Sequence, residues 1–503
     1  MRILLTSSEA VPFSKTGGLS DVTAALTKEL AQAGHDVSLV IPSYPQSQAR
    51  LGNSGGPAIV PTGKSVEVPL RSKKLVGRIL KSSLPGSTAS VYLIDQPGYF
   101  DRPGLYQDAG RDFSDNCERF VFFSRAVMEA ARVLDLRPDV IHANDWQTGL
   151  VPALLSVEYA DQSGFQETGS VFTVHNMAFQ GQFWHWDMLL TGLDWQYFNW
   201  KQMEFFNHLN LLKTGIVFAD MVTTVSPTYA REIQTSRFGY GLESVLFNRR
   251  ESLRGILNGI DPDDWNPQTD ARLAKNYTLE TFAEGKAACK AQLQQQLNLP
   301  VRADVPLLGM ISRMTDQKGF GLLADCLPAF LECDVQICFL GTGEKKYESW
   351  AQSLATHYPG KASATIGFDD ALAHRIEAGC DIFLMPSLFE PCGLNQMYSM
   401  AYGTIPIVHA VGGLADTVVD ATPQNLAHGT ATGFRFSTES TIELERTIGR
   451  ALELFRDRDA WMKLVANGMR QDWSWSRSAR DYVDVYRTAI ARRSRRAPAA
   501  ALA

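Results

Sequence analysis

The stretch Lys15-Thr16-Gly17-Gly18-Leu19-Ser20-Asp21 joins a predicted first strand, Arg2 to Glu9, to a predicted helix from about Leu19 to Ala33. A second predicted strand, His35 to Ile41, follows at once. A glycine turn between a strand and a helix directs backbone N–H groups and the positive end of the helix dipole at whatever binds above the turn. Lys15 adds a full positive charge. The stretch therefore predicts an α/β domain with a phosphate site at its first turn.

Length and composition limit the possible functions. A chain of 503 residues exceeds one hydrophobic core, so at least two domains are expected. The net charge of −6 argues against general affinity for nucleic acid or acidic membranes. No apolar run would span a bilayer, and a strand starting at Arg2 leaves no room for a signal peptide, so we expect a cytoplasmic protein. The seven scattered cysteines form no Cys-x-x-Cys pair, which predicts neither a disulfide framework nor a zinc site.

Strand-like and helix-like segments alternate along both halves of the chain, which is typical of parallel sheets covered by helices. The second series begins at Pro306 to Met314, after a turn-rich stretch at Asn258 to Pro262. We therefore expect two doubly wound, Rossmann-like units that face each other across a cleft.

Two polar turns in the second half lie where ligands of open α/β sheets bind, at the carboxyl ends of strands. In Ser312 to Gly319, Arg313 and Lys318 flank a glycine turn, and together they could hold a diphosphate. In Phe389 to Leu394, a diphosphate would repel Glu390, so its expected role is to accept hydrogen bonds from sugar hydroxyls.

Polar residues also follow two strands of the first half. The segments His142 to Gln147 and His175 to Asn176 bring histidines, asparagines and an aspartate to one sheet edge, which favours a binding site over a structural role. The aromatic stretches Phe183 to Trp186 and Trp195 to Trp200 could stack on sugar rings or pack in a core or a lid, and we expect packing.

Taken together, seven motifs of this chain resemble the bacterial glycogen synthases and plant starch synthases, in order and spacing over almost the whole chain. The motifs are Lys-Thr-Gly-Gly-Leu-Ser-Asp at 15–21, Arg-Pro-Gly-Leu-Tyr at 102–106, His-Ala-Asn-Asp-Trp at 142–146, His-Asn at 175–176, Asn-Gly-Ile-Asp at 258–261, Ser-Arg-Met-Thr-Asp-Gln-Lys-Gly at 312–319 and Glu-Pro-Cys-Gly-Leu at 390–394. The resemblance implies the glycosyltransferase-B fold and retaining transfer of glucose from ADP-glucose to the non-reducing end of an α-1,4-glucan. It implies an acceptor-side domain at 1–255 that a helix at about 476–490 completes, and a nucleotide-sugar domain at 256–475. Residues 491–503 are expected to be a disordered tail.

The resemblance also implies roles for individual residues. It places Arg313 and Lys318 on the donor diphosphate, Glu390 on the glucose hydroxyls and His175 on the transferred glucose, and it makes these four the catalytic set. The substrate-binding residues that it implies are Lys15, Gly17, Gly18, Asp21, Asp145, Asn258, Cys392, Gly393 and Leu394. Lys15 is expected to reach the donor across the cleft when the domains close, and Asp145 to lie near the acceptor. Tyr398 stands where the wider retaining superfamily often has a second glutamate, and Asn395 where threonine is common in the synthases.

No metal or cofactor is expected, because cations and backbone N–H groups can stabilise the leaving diphosphate. Other functions stay open on the sequence alone. A glucan phosphorylase would need a pyridoxal phosphate lysine, for which no motif is apparent, and an epimerase of this fold would act without a glucan. A non-catalytic glucan-binding protein and a UDP-glucose-dependent transferase are the remaining alternatives.

Overall fold

The computed structural model describes residues 1–47, 57–108 and 110–500, with side chains as far as Arg495. The chain forms two compact units. The first comprises Met1–Asn258 and the C-terminal segment from Trp475, and the second comprises Gly259–Ser474.

The first unit contains a nine-stranded sheet. Its strands are β1 (Arg2–Thr6), β2 (Asp36–Pro42), β3 (Val60–Leu70), β4 (Lys73–Ser83), β5 (Ser90–Asp95), β8 (Val140–Asn144), β9 (Gly169–Val174), β13 (Met221–Thr224) and β14 (Leu253–Gly255). They lie in the order β14-β13-β9-β8-β1-β2-β5-β4-β3. The pairs from β14 to β5 are parallel, whereas β3 and β4 are antiparallel. Strands β8 and β9 are buried throughout, as central strands of a covered parallel sheet should be.

Helices cover this sheet. They span Gly18–Gln32, Pro97–Phe100, Asn116–Val133, Leu150–Val157, Met188–Thr191, Leu211–Phe218, Pro227–Glu232, Glu243–Asn248 and Trp475–Ala500, with 3₁₀ turns at Trp146–Thr148, His185–Asp187 and Trp195–Tyr197. Two small sheets complete the unit, one of β6 (Gln107–Asp108) and β7 (Arg111–Asp112), the other of β10 (Gln182–Trp184), β12 (His208–Asn210) and β11 (Glu204–Phe205).

The C-terminal helix Trp475–Ala500 packs into the core of the first unit through buried Tyr482 and Tyr486. A Cβ atom at Gly169 would lie 2.7 Å from the backbone nitrogen of Ile490, so this close approach requires glycine. The expected disorder from residue 491 is wrong as far as Ala500, because the helix continues. Arg492 donates to the Asp220 and Glu251 carbonyl oxygens at 3.2 and 3.1 Å, which ties the helix to the sheet. Residues 501–503 lie outside the described residues.

The second unit contains a parallel six-stranded sheet in the order β17-β16-β15-β18-β19-β20. The strands are β15 (Leu307–Ile311), β16 (Gln336–Gly341), β17 (Ala362–Ile366), β18 (Ile382–Met385), β19 (Ile405–His409) and β20 (Phe434–Phe436). The helices are Phe282–Gln296, Phe320–Leu331, Lys345–His357, Asp370–Gly379, Asn395–Ala401, Gly412–Thr417, Pro423–Ala427, Thr441–Arg456 and Arg458–Met469, with a 3₁₀ turn at Asp316–Lys318. In neither unit does a described helix combine the length and apolar character needed to cross a membrane.

Candidate functional site

Each sheet reverses its strand order beside one central strand, which is where open α/β sheets bind ligands. In the second unit β15 lies between β16 and β18, so the turns after β15 and β18 adjoin. In the first unit β1 lies between β2 and β8, which brings together the turns after β1 and β8. All but one of the predicted site residues lie in or next to these turns or the turn after β9; Asn258 ends the first unit's main segment.

Lys318 and Glu390 form an ion pair at the switch point of the second unit. The Lys318 Nζ lies 2.5 Å from the Glu390 Oε2, and the Ser387 hydroxyl donates to the same oxygen at 3.0 Å. The two side chains are 18% and 10% exposed, so water screens the pair little. A Cβ atom at Gly319, whose φ is +77°, would collide with the Pro386 carbonyl, so glycine lets the two turns approach.

Arg313 differs from Lys318, because its side chain is exposed and has no carboxylate partner among the residues that the structure describes. A guanidinium without a partner beside a closed Lys–Glu pair leaves one cation available to an anionic ligand. The residues after Glu390 build the wall of this turn. Cys392 is buried, Gly393 has a φ of +72°, and Leu394 precedes the helix Asn395–Ala401.

In the first unit, Lys15 pairs with Asp21 at 2.7 Å, and both side chains are partly exposed. Gly17 and Gly18 have no positive φ, and a Cβ atom at either would meet nothing within 4 Å. Neither packing nor backbone conformation therefore requires glycine here. The open space beside their backbone is what a ligand approaching the main chain would need.

Glu9 holds this turn in place, and sequence reasoning missed it by assigning it to the first strand. Its carboxylate accepts from the Thr16 backbone N–H at 2.5 Å, the Thr16 hydroxyl at 2.9 Å and the Tyr106 hydroxyl at 2.8 Å. Burial raises the pKa of Glu9. The motifs at 15–21 and 102–106 thus meet at one buried carboxyl group.

His175 and Asp145 lie together at the ends of β9 and β8. The His175 backbone N–H donates to the Asp145 Oδ1 at 2.8 Å, and its ring Nε2 lies 2.9 Å from the Asn144 Oδ1. Since that oxygen can only accept, the ring is assigned the tautomer with the proton on Nε2. Burial lowers the pKa of His175 to about 3, so the ring is neutral.

Asp145 has an unusual backbone, with φ +56° and ψ 178°. Non-glycine residues are rare in that region, and such strain collects at functional sites. Burial, assisted by the charge of Glu9, raises the pKa of Asp145 to about 7.

Two other sequence candidates are placed differently. His142 is buried in β8 and bonds to Thr173 Oγ1 and to the Tyr486 hydroxyl of the C-terminal helix, so it holds the core and does not join the edge cluster that the sequence indicated. Asn258 is buried, and its Oδ1 has no hydrogen-bond partner. No group of three or more potential metal-ligating side chains occurs among the described residues.

Comparison with known proteins agrees with this geometry. Residues 2–248 match the sequence-family model of the starch synthase catalytic domain. Residues 294–464 match the family model of glycosyl transferases group 1. The chain is 45% identical over 508 residues to glycogen synthase of Rhodopirellula baltica, covering 99% of each chain. It is 47% identical over 489 residues to glycogen synthase of Anaeromyxobacter dehalogenans, covering 97% of this chain and 99% of the relative. The chain belongs to the glycogen and starch synthases.

Its structure is similar to the catalytic domain of starch synthase IV from Arabidopsis thaliana bound to ADP and acarbose. The TM-score is 0.88 and the identity 32%, over 97% of this chain and 99% of the other. The predicted glycosyltransferase-B fold is confirmed, and the chain is a glycosyltransferase.

Replacing Glu9 should loosen the first turn of this glycosyltransferase. Glu9→Ala removes the buried carboxylate that accepts from the Thr16 N–H, the Thr16 hydroxyl and the Tyr106 hydroxyl, so we expect the free energy of unfolding to fall by about 2–3 kcal/mol. Tyr106→Phe removes only one donor to the same carboxylate and should cost about 1 kcal/mol. Urea denaturation followed by tryptophan fluorescence measures both. Equal losses in the two variants would contradict a role of Glu9 in holding the turn.

The raised pKa of Asp145 predicts a pH-dependent effect on stability. A folded-state pKa of about 7, above the ordinary value of 3.8, means that the free energy of unfolding falls as pH rises from about 4 to about 7 and stays level above that. Asp145→Asn removes this loss and keeps an acceptor for the His175 N–H. The free energy of unfolding of the variant minus that of the unsubstituted protein should be about 2 kcal/mol larger at pH 8 than at pH 5. Denaturation at both pH values measures it, and a pH-independent difference would rule out the raised pKa.

Proposed function

We propose that this glycosyltransferase transfers glucose from ADP-glucose to the non-reducing end of an α-1,4-glucan with retention of configuration, and so elongates glycogen. The observation that carries the proposal is the Lys318–Glu390 pair beside unpaired Arg313 at the switch point of the second sheet. A nucleoside diphosphate sugar needs cations for the diphosphate and an acceptor for the sugar hydroxyls, and this turn offers both. The relative bound to ADP and acarbose, 32% identical, supports it.

In this proposal the second unit holds the donor. Breaking the bond between glucose and ADP places negative charge on the leaving diphosphate, which Arg313 and Lys318 stabilise electrostatically. Glu390 accepts from glucose hydroxyls and orients Lys318. Cys392, Gly393 and Leu394 form the wall beside the sugar, with their backbone N–H groups at the start of the helix Asn395–Ala401.

Phe368, which sequence reasoning missed, supports a nucleotide donor. Its ring is 90% exposed and follows Gly367 at the carboxyl end of β17, on the same sheet edge as the turn after β15. An exposed aromatic ring at a ligand-binding edge offers a face on which a base can stack. The signal available in the sequence was a phenylalanine directly after a glycine at the end of a strand. A side chain in that position contributes nothing to the core.

The first unit, in this proposal, serves the glucan acceptor and the transferred glucose. Lys15 with Gly17 and Gly18 binds near the phosphates and glucose, with Asp21 orienting Lys15. Neutral His175, whose Nε2 proton is held by the Asn144 Oδ1, can accept at Nδ1 from a sugar hydroxyl. Asp145 lies near the acceptor.

Asn258, whose Oδ1 lacks a partner, contributes a further polar group to substrate binding. Retention arises when the acceptor hydroxyl attacks on the face that the diphosphate leaves, and the diphosphate takes its proton. A trapped covalent glucosyl-enzyme would contradict this course. We also propose a cytoplasmic location, because none of the seven cysteines, all within the described residues, forms a disulfide, which fits a reducing compartment.

The test offers radiolabelled ADP-glucose and UDP-glucose separately with glycogen and measures label in the polymer. We expect ADP-glucose to be used well and UDP-glucose poorly. Preferred use of UDP-glucose would make this a UDP-glucose-dependent transferase. Incorporation from neither donor would favour a non-catalytic glucan-binding protein on the same scaffold.

A further inference from the structure

The sheet of the second unit opens between β15 and β18, at its switch point. These two strands pair only as far as Gly309 and Phe383, two residues before β15 ends at Ile311. The next residue, Ser312, directs its backbone N–H to the other side of the strand, where it donates to the Leu340 carbonyl oxygen of β16. Because the backbone groups of successive strand residues point to opposite neighbours, the Ile311 carbonyl oxygen faces the opening beside β18.

The side chain of Asn395 supplies the partner that this carbonyl group lacks within the sheet. The Asn395 Nδ2 donates to the Ile311 carbonyl oxygen at 2.9 Å. Asn395 begins the helix that follows the turn after β18, so the bond joins this helix to the end of β15. A carbonyl oxygen only accepts, which assigns the orientation of the amide. The bond therefore bridges the two strands at the point where their ladder has ended.

The turn after β15 is thus attached at both ends to the segment after β18. At its far end, the Gln317 carbonyl oxygen accepts from the Leu388 N–H at 2.9 Å, and the Gln317 Nε2 donates to the Phe389 carbonyl oxygen at 3.1 Å. At its near end is the Asn395 amide. Arg313 lies between the two attachments, exposed and without a carboxylate partner in the described part of the chain. The backbone on either side, and not an ion pair, therefore determines where its guanidinium lies.

The bond of Asn395 depends on the length of its side chain. Threonine is common at this position in the synthases, but a threonine hydroxyl is one covalent bond closer to its Cα than the amide nitrogen is. From the same backbone position, that hydroxyl falls short of the Ile311 carbonyl oxygen. The amide oxygen of Asn395 only accepts, so it cannot bind phosphate oxygens, which also accept. The side chain is therefore better suited to holding β15 than to holding a diphosphate.

We propose that Asn395 is a positioning residue for donor binding, which holds Arg313 in place for the diphosphate through the Ile311 carbonyl oxygen. The diphosphate as ligand of Arg313 rests on the proposed function. The second cation of the turn, Lys318, is placed differently, because the Glu390 carboxylate holds its Nζ at 2.5 Å. Two residues of the segment after β18 thus place the two cations of the turn after β15, one through the backbone and one through an ion pair.

The test removes the hydrogen bond and keeps the approximate shape of the side chain with Asn395→Leu. The matched control is Asn425→Leu. The Asn425 Nδ2 also makes a partly buried bond of 2.9 Å to a backbone carbonyl oxygen, that of Asp420. Asp420 lies beside Gly433, directly before β20, at the opposite, amino-terminal edge of the sheet. Each variant loses one such bond, so thermal unfolding should show similar losses of stability in both.

ADP is the probe, and isothermal titration calorimetry without acceptor measures its binding independently of turnover. We expect the dissociation constant for ADP to rise about tenfold in Asn395→Leu and to stay unchanged in Asn425→Leu. In initial-rate measurements, KM for ADP-glucose should rise similarly and KM for glycogen should stay the same. A purely structural role of Asn395 would not separate the two substrates in this way. Equal ADP affinities of the two variants would overturn the inference.

Arg313→Ala decides whether Asn395 acts through Arg313. In that background, Asn395→Leu should change the dissociation constant for ADP by less than about twofold, because the guanidinium that Asn395 positions is absent. A tenfold loss in both backgrounds would overturn the inference, since the second N–H of the amide would then contact the ligand directly.

The binding measurement also distinguishes this inference from the proposed function. ADP binding that depends on Asn395 through Arg313, in a protein that transfers no glucose from ADP-glucose, would overturn the proposed function and support the role of Asn395. Efficient transfer together with an ADP affinity that Asn395→Leu does not change would do the reverse.

Discussion

Lys318→Ala is expected to lower kcat for glucosyl transfer by more than about a hundredfold, on the order of 3 kcal/mol of transition-state stabilisation. In the proposed mechanism, the substitution removes a positive charge that stabilises the leaving diphosphate. It also leaves the Glu390 carboxylate, 10% exposed, without its counterion and facing that diphosphate. Both effects raise the barrier, because an unpaired buried charge repels the charge that develops in the transition state.

The matched control is Lys361→Ala. Lys361 immediately precedes β17 at the opposite, amino-terminal edge of the same sheet and donates to the Leu331 and Cys333 carbonyl oxygens. Initial rates with ADP-glucose and glycogen, together with thermal unfolding of each variant, separate catalysis from folding. Turnover by Lys318→Ala within a few fold of the control would remove Lys318 from the mechanism.

The sequence predicted the buried strands well and the edge strands poorly. Strands such as β8 and β9 are buried on both faces and read as continuous apolar runs. The hairpin of β3 and β4 was missed, because β3 is the sheet's last strand and is largely exposed. Its prolines, Pro61 and Pro69, are tolerated at an edge but read as breaks in a pattern.

In the candidate site, too, the sequence predicted some features and missed others. The motifs predicted turns after strands, and the structure has turns there, since glycines and charges after strands are local features of sequence. What they did not give is which side chains pair. Glu9 and Tyr106 are 97 positions apart, as the Tyr106 to Glu9 hydrogen bond shows, and no periodicity reports such a contact. The left-handed backbone of Asp145 was equally hidden, because tertiary packing imposes it on a residue that disfavours it.

Glu390→Gln is expected to lower kcat by about a hundredfold, and most of that loss should depend on Lys318. The amide keeps the size of the side chain and an oxygen for the Ser387 hydroxyl. It loses the charge that holds the Lys318 Nζ at 2.5 Å, and it can turn N–H donors toward that ammonium. If Lys318 binds the diphosphate as proposed, its displacement weakens that contact, so one substitution should damage both proposed contacts.

The double variant tests this coupling. In the Lys318→Ala background, Glu390→Gln should cost less than about tenfold, because the pair is already broken and the substitution also removes a charge that repels the diphosphate. Glu332→Gln, at the amino-terminal edge of the sheet beside the Tyr358 hydroxyl, is the control for loss of a carboxylate. Initial rates of the four proteins of the cycle measure the coupling. If the fold-losses in kcat of the two single variants multiply in the double variant, Lys318 and Glu390 act on the donor independently. The ion pair would then exist only in the absence of substrate.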